Sequence, residues 1–110
     1  MKKIYVAGAY SANNVMDVLH NISRGIEYSA FLLKEGNAPF CPWLDYHFAL
    51  VNRNISKQLF YEYSIAFLEV CDEVHVLEGS ENSVGTQKEI ARAKELNIPI
   101  VTLPTSEDKK

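Results

Sequence analysis

Apolar positions along this chain follow two periods, short β-branched runs and longer stretches that repeat every three to four residues. Lys3 to Gly8 is a β-branched and aromatic run ending at glycine, which predicts a buried first strand. Past the turn Ala7-Gly8-Ala9-Tyr10-Ser11, Val15, Val18, Leu19, Ile22, Ile26, Ala30 and Leu33 recur at helical spacing. A long amphipathic helix, capped by Asn13 or Asn14, should therefore run to Gly36. Gly25 falls inside it at a cost of up to about 1 kcal/mol against alanine, which points to close packing. Asn37 to Cys41 predicts a second strand, closed by Pro42. Residues 42–54, rich in aromatics and without a clear period, read as a long irregular loop.

Ile55 to Val70 predicts another helix, with Leu59, Tyr63, Ala66, Phe67 and Val70 facing inward. Glu73-Val74-His75-Val76-Leu77 is a third strand. A turn-rich loop then leads into a helix from about Val84 to Leu96, stopped by Asn97. Ile98 to Leu103 is the fourth strand, with Pro99 fitting only at its beginning because it has no N–H to give. Strands alternating with helices imply right-handed crossovers and an α/β fold, a doubly wound parallel sheet with four strands in the order 2-1-3-4. Such sheets bind ligands beyond the carboxyl ends of their strands, here at the switch point between the first and third. The Gly8 turn, the loop after Leu77 and the aromatic loop after the second strand converge on that point.

The length of 110 residues suits one domain, residues 1–103, and the polar stretch 104–110 is expected to be a flexible tail. A chain 47% hydrophobic and 23% charged has globular composition. Its net charge of -3, with no Lys/Arg run, argues against a nucleic-acid polymer as partner and favours a small ligand. No run approaches the roughly 20 apolar residues of a membrane span, and no signal-type cleavage site follows the basic start, so a cytoplasmic protein without a membrane partner is expected. Cys41 and Cys71 lack metal-ligand spacing and read as reduced, buried thiols. No metal or cofactor is expected.

The candidate chemistry lies in Glu78 to Ile90. A small-residue loop that opens a helix leaves backbone N–H groups at the positive end of the helix dipole, which suits an anion. Glu89 arrives about one and a half turns into that helix. It shares a face with Ile90, Ala93 and Leu96, while Lys88, Arg92 and Glu95 take the solvent side. An acid there either sits at the stripe edge and reaches solvent, or must find hydrogen-bond partners, shift its pKa or line a cavity. In the aromatic loop, Trp43, Tyr46 and Phe48 would cover the core or stack on a planar base. Asp45 and His47 are the polar groups there that could reach a ligand.

Three segments taken in order resemble the nucleoside 2-deoxyribosyltransferase superfamily, in particular its small bacterial and phage members. They are Ile4-Tyr5-Val6-Ala7-Gly8-Ala9-Tyr10-Ser11, Cys71-Asp72-Glu73-Val74, and Ser83-Val84-Gly85-Thr86-Gln87-Lys88-Glu89-Ile90-Ala91-Arg92-Ala93. The resemblance runs from Lys3 to about Val101 and implies a flavodoxin-like, Rossmann-like three-layer sandwich with a parallel sheet of about four or five strands. It implies N-glycosidic bond cleavage or deoxyribosyl transfer on a 2'-deoxynucleoside or its 5'-phosphate. Glu89 stands at the position of the glutamate nucleophile, whose sugar ester is captured by another base or by water. Ser83, followed by Gly85, stands where the nucleotide-hydrolase branch binds phosphate. Gly8, Ala9, Tyr10 and Ser11 would lie beside the sugar and base; Trp43 and His47, taken from the make-up of the aromatic loop, are the further candidate substrate contacts.

The superfamily pattern has an acid eight residues before Asp72, where this chain has Ser64. Asp45 is the candidate substitute, and Asp72 reads as a strand-entry residue. Ser64 favours the alternative, a non-catalytic nucleotide-binding module that senses or sequesters its ligand. A signalling receiver domain fits less well, because its acidic cluster is absent where Gly8 and Leu77-Glu78 stand. The resemblance also implies a homo-oligomer, since related sites are often completed by a neighbouring subunit.

Overall fold

The structure, a computed structural model, describes residues 1–42 and 44–103, apart from the side chains of residues 44–46. Trp43, the side chains of Asp45 and Tyr46, and the tail 104–110 therefore lie outside the described residues.

Alternation along the first strand, β1 (Lys3–Ala7), divides its side chains between two cores. Ile4 and Val6 join Leu32, Cys41 and Leu77 on one face of the sheet. Tyr5 and Ala7 join Leu68, Val74, Val76 and Ala93 on the other. Around β1 the sheet is built from β2 (Ala38–Phe40), β3 (Glu73–Val76) and β4 (Ile100–Thr102), all parallel, in the order β2-β1-β3-β4 expected from the sequence. Pro39 sits opposite Ile4 in β2 and is tolerated because β2 is an edge strand.

The helices are α1 (Val15–Lys34), α2 (Leu44–Val51), α3 (Lys57–Leu68) and α4 (Val84–Glu95). Asn14 caps α1 by accepting the Asp17 N–H, Ser56 caps α3 through the Leu59 N–H, and Ser83 caps α4 through the Thr86 N–H. Helix α4 ends in a Schellman arrangement in which Asn97, at φ 59°, donates to Lys94 and Ile98 donates to Ala93. Helix α1 packs on the Ile4/Val6 face, and α3 and α4 contribute Leu68 and Ala93 to the Tyr5/Ala7 face.

Three expectations change. Residues 44–51 form the helix α2 instead of part of an irregular loop. Its sequence is apolar nearly all round, so no polar face marks a 3.6-residue period. Helix α3 buries Ser64 and Leu68, while Leu59, Ala66, Phe67 and Val70 of the expected inner stripe are exposed. Helix α1 likewise buries Gly25 and Leu32 and leaves Val15, Leu19, Ile26, Ala30 and Leu33 exposed. In both helices the packed face lies roughly a quarter turn or more around from the apolar stripe.

Gly25 behaves as expected from close packing. A Cβ there would lie 2.8 Å from the Tyr10 hydroxyl oxygen and 2.9 Å from Cys41 Sγ. Both cysteines are free, Cys41 buried and Cys71 half-buried. Among the described residues no helix is long and apolar enough to cross a membrane.

Candidate active site

The carboxyl ends of β1 and β3 lie side by side, and the two loops that leave them are tied together. Leu77 N–H donates to Ala7 O at 2.8 Å. Beyond it, the buried Ser80 hydroxyl donates to Leu77 O at 2.8 Å and accepts the Ala9 N–H at 3.3 Å. Arg24 on α1 adds a hydrogen bond to Glu78 O at 2.7 Å. A Cβ on Gly8 would meet Leu77 Cδ1 at 2.9 Å, so glycine allows the first turn to pass this close to the loop after β3. The chain is thus fixed on both sides of the switch point before any ligand arrives.

A cavity of about 420 Å³ opens there, within the usual size of small-molecule sites. Helix α4 supplies Ser83, Gly85, Thr86 and Glu89 to its wall, and the β1 turn supplies Gly8, Tyr10 and Ser11. The wall is closed by Lys57, Phe60, Tyr61 and Ser64 of α3, which explains the rotation of that helix. Its less apolar face is turned inward, toward the cavity, where polar side chains can be accommodated.

Glu89 is only 8% exposed, so the stripe-edge reading in which it reaches solvent is excluded. Its carboxylate accepts a short hydrogen bond from the Tyr5 hydroxyl. Burial first, and then the Glu89 charge, pushes the Tyr5 phenol well above its usual range, while a hydrogen bond with Ser64 acts in the opposite direction. Tyr5 therefore remains a neutral donor. The Ser64 hydroxyl, itself buried, stabilises the phenol oxygen, the phenol proton goes to Glu89, and the carboxylate is held in one orientation. Tyr61 on α3 is also raised, by burial and then by the Glu89 charge. Glu89 is the one carboxylate among the described residues that line the cavity.

At the mouth, Ser83 both lines the cavity and caps α4, its hydroxyl oxygen accepting the Thr86 N–H at 3.2 Å. Thr86 is 2% exposed, and its hydroxyl has no hydrogen-bond partner among the described residues. The first-turn N–H groups of Val84 and Gly85 have no carbonyl one turn back to bond. This end of the cavity is a set of donors without acceptors, suited to an anion. Among the described residues no cluster of His, Cys, Asp and Glu has metal-binding geometry.

The structure thus gathers Gly8, Tyr10, Ser11, Ser83, Gly85 and Glu89 around one cavity, and Ala9 lines its neighbour. His47 is not brought in. It is exposed on α2 and lines neither cavity, because α2 turns that position outward. Phe48 packs edge-on against Tyr63, ring centroids 5.7 Å apart, and so covers α3 instead of facing the cavity. Trp43 and the Asp45 carboxyl lie outside the described residues. Sequence reasoning missed Tyr5, Thr86 and Lys57. Tyr5 carried a signal, since a tyrosine in a strand buried on both faces needs a partner for its hydroxyl.

A family model described as a domain of unknown function, DUF7768, matches residues 2–103. The chain belongs to that family. No curated protein matches this DUF7768 member by sequence. Solved structures do match it. A 2-deoxyribosyltransferase from Leishmania mexicana superposes with a TM-score of 0.67 at 20% identity, over 94% of this chain and 64% of its own. A 2-deoxyribosyltransferase from Bacillus psychrosaccharolyticus gives 0.64 at 18% identity, over 91% of this chain and 70% of its own. A conserved protein from Enterococcus faecalis V583 gives 0.64 at 20% identity, over 100% of this chain and 67% of its own. The DUF7768 chain therefore has a nucleoside 2-deoxyribosyltransferase-like fold and spans about two thirds of the length of these structures.

Proposed function

We propose that this protein cleaves the N-glycosidic bond of a 2'-deoxynucleoside or its 5'-phosphate, with Glu89 as nucleophile. The observation that carries the reading is a buried carboxylate, held by Tyr5, on the wall of a ligand-sized cavity beside the N-terminus of α4. The fold shared with 2-deoxyribosyltransferases supports it. In this mechanism a Glu89 oxygen attacks the anomeric carbon as the bond to the base breaks, and the electron pair leaves on the base nitrogen, which takes up a proton from water. The resulting sugar ester is attacked at the same carbon by a second base or by water, which gives up its proton to solvent as the ester C–O bond breaks, restoring the carboxylate and the original configuration. Tyr5 positions the attacking oxygen, and the donors at the start of α4 receive a 5'-phosphate.

The test is a mass-spectrometric assay for free base on mixed deoxynucleosides and deoxynucleotides, run beside Glu89→Gln and Glu89→Ala. Release that disappears in both variants while their circular dichroism matches wild type supports the proposal. Tight binding without turnover across the whole panel overturns it in favour of a binding module. Ser64, in place of an acid, is the observation that favours this second reading. Under it Glu89→Ala would change affinity with no activity to lose.

The proposal includes self-association with a second copy of the chain. Along α1, Val15, Leu19, Ile26 and Leu33 are 71%, 54%, 44% and 56% exposed, a single stripe roughly 27 Å long at 1.5 Å per residue. Arg24 and Tyr28, on another side of α1, bond to Glu78 and His75 around β3, so the stripe faces the β2 edge. On the opposite face of the sheet, Leu59 in α3 and Val70 just past its end are also exposed, on the helix whose Phe67 stacks on Phe40 of the β2 edge strand. Two copies related by a two-fold axis would cover these surfaces with each other. Light scattering should give a multiple of the 12.5 kDa chain for wild type, and Leu19→Glu/Ile26→Glu should reduce it to the monomer. A monomeric wild type would refute this part.

A further inference from the structure

A second cavity, of about 680 Å³, adjoins the first and shares Ser11, Lys57, Tyr61, Ser83 and Gly85 with it. Its own wall carries Lys88 and Asn82, and no carboxylate among the described residues. Glu89 lines only the first cavity and Lys88 only the second. From the buried acid outward, the order is Glu89, then the shared wall of Ser83, Gly85 and Lys57, then Lys88. Neither Lys57 nor Lys88 pairs with a carboxylate among the described residues. The Lys88 ammonium instead lies 5.4 Å from the centre of the Tyr61 ring, which keeps it over the shared wall.

We propose that the site takes a deoxynucleoside 5'-diphosphate, with the first phosphoryl group at the start of α4 and the second between Lys57 and Lys88. This deepens the reading of Glu89 given above and rests on it. The buried, unpartnered Thr86 hydroxyl, with Ser83 and the free N–H groups of Val84 and Gly85, provides the donors for one phosphoryl group. Lys57 stands in the wall shared with these donors, and Lys88 lies in the second cavity only, on the side away from Glu89. A monophosphate whose sugar reached Glu89 would leave Lys88, outside the first cavity, without an anionic partner. A second phosphoryl group would meet both lysines, as point charges able to follow its oxygens. The positive end of the site also separates the ligand's own charge from the Glu89 carboxylate, which a nucleophile attacking a polyanion requires.

The experiment is calorimetric titration of the Glu89→Gln protein, which arrests turnover, with dAMP, dADP and inorganic pyrophosphate at low salt. The same titrations are made on Glu89→Gln carrying Lys57→Ala and Lys88→Ala. Melting-temperature shifts of the wild type with the same ligands provide a second readout. We expect dADP to bind at least about tenfold more tightly than dAMP, with the gap closing in the lysine variant and shrinking as salt is raised. Equal affinity for dAMP and dADP, with base released from either by the wild type, overturns the diphosphate proposal and leaves the glycosidic reading standing. A dADP preference that survives loss of both lysines also overturns it. No binding or melting shift with any of the three ligands overturns both.

Discussion

The hydrogen bond from Tyr5 to Glu89 can be measured without knowing the substrate. Tyr5→Phe removes one oxygen from a buried site and leaves the ring, so packing against Phe40, 5.6 Å away between centroids, is retained. What is lost is a donor to a carboxylate that is 8% exposed. Hydrogen bonds to charged groups contribute about 1.5–3 kcal/mol, and a buried acceptor deprived of its donor keeps its desolvation cost. A loss near 2 kcal/mol lowers the melting temperature of a domain this size by roughly 8–16 °C. The cleaner measurement is a double-mutant cycle with Glu89→Gln in urea denaturation at neutral pH. A coupling of about 1.5–3 kcal/mol is expected, because the amide replaces a charged acceptor with a neutral one. If Glu89 also carries the reaction, Tyr5→Phe should lower kcat by about 30-fold at the same 2 kcal/mol. A coupling within error of zero would sink the idea that Tyr5 holds this carboxylate.

Three further outcomes follow from the packing and the ionisable groups. Gly25→Ala gains up to about 1 kcal/mol of helix propensity but forces a methyl group to 2.8–2.9 Å from Tyr10 and Cys41; overpacking costs about 1–3 kcal/mol, so chemical denaturation should show net destabilisation. Glu73 is held below the usual carboxylate range by hydrogen bonds from Lys2, at 2.7 Å, and from His75. Its folded pKa is lower than its unfolded one, so its contribution is fully present above about pH 4.3 and is lost as pH falls through the folded value. Stability measured down the acid limb should therefore fall less steeply for Glu73→Gln than for wild type, and parallel curves would contradict the assignment. Burial pushes the Cys71 thiol up to about 11. At pH 8 only about one molecule in a thousand carries the thiolate, against about a tenth for an unperturbed cysteine, so alkylation followed by peptide mapping should show Cys71 labelled roughly 100-fold more slowly than an exposed cysteine in an unfolded peptide.

The sheet order was legible because β-branched runs, glycine turns and helical stretches alternate with little ambiguity, and right-handed crossovers leave few ways to join them. Which side of each helix is packed was not legible. One side of a four-stranded sheet cannot cover the full apolar stripe of a 20-residue helix, and α1 is seated on Gly25 and Leu32, where the backbone comes close. In α3 the inward face was hidden by its own chemistry, since Lys57, Tyr61 and Ser64 do not look like core residues. Glu89 was legible as an acid among apolar neighbours on one helix face. Its partner was not, because period-2 alternation assigns Tyr5 to a face without saying which distant hydroxyl or acid that face will meet.

Ser64 shows why the two halves of this problem belong together. The resemblance expects an acid there, and the structure places the serine hydroxyl against Tyr5, whose proton is committed to Glu89. A carboxylate at position 64 would face Glu89 across a single phenol in a buried site, where two like charges raise each other's pKa and one proton cannot satisfy both. Serine turns the same contact into a chain of donors, Ser64 to Tyr5 to Glu89, directed at one acceptor. That arrangement orients the Glu89 carboxylate and leaves it as the one carboxylate among the described residues that line the cavity. If Glu89 carries the proposed reaction, bases that leave readily and take their proton from water should be the best substrates, and the same chain explains why Tyr5 lies with Glu89 as much as with the core.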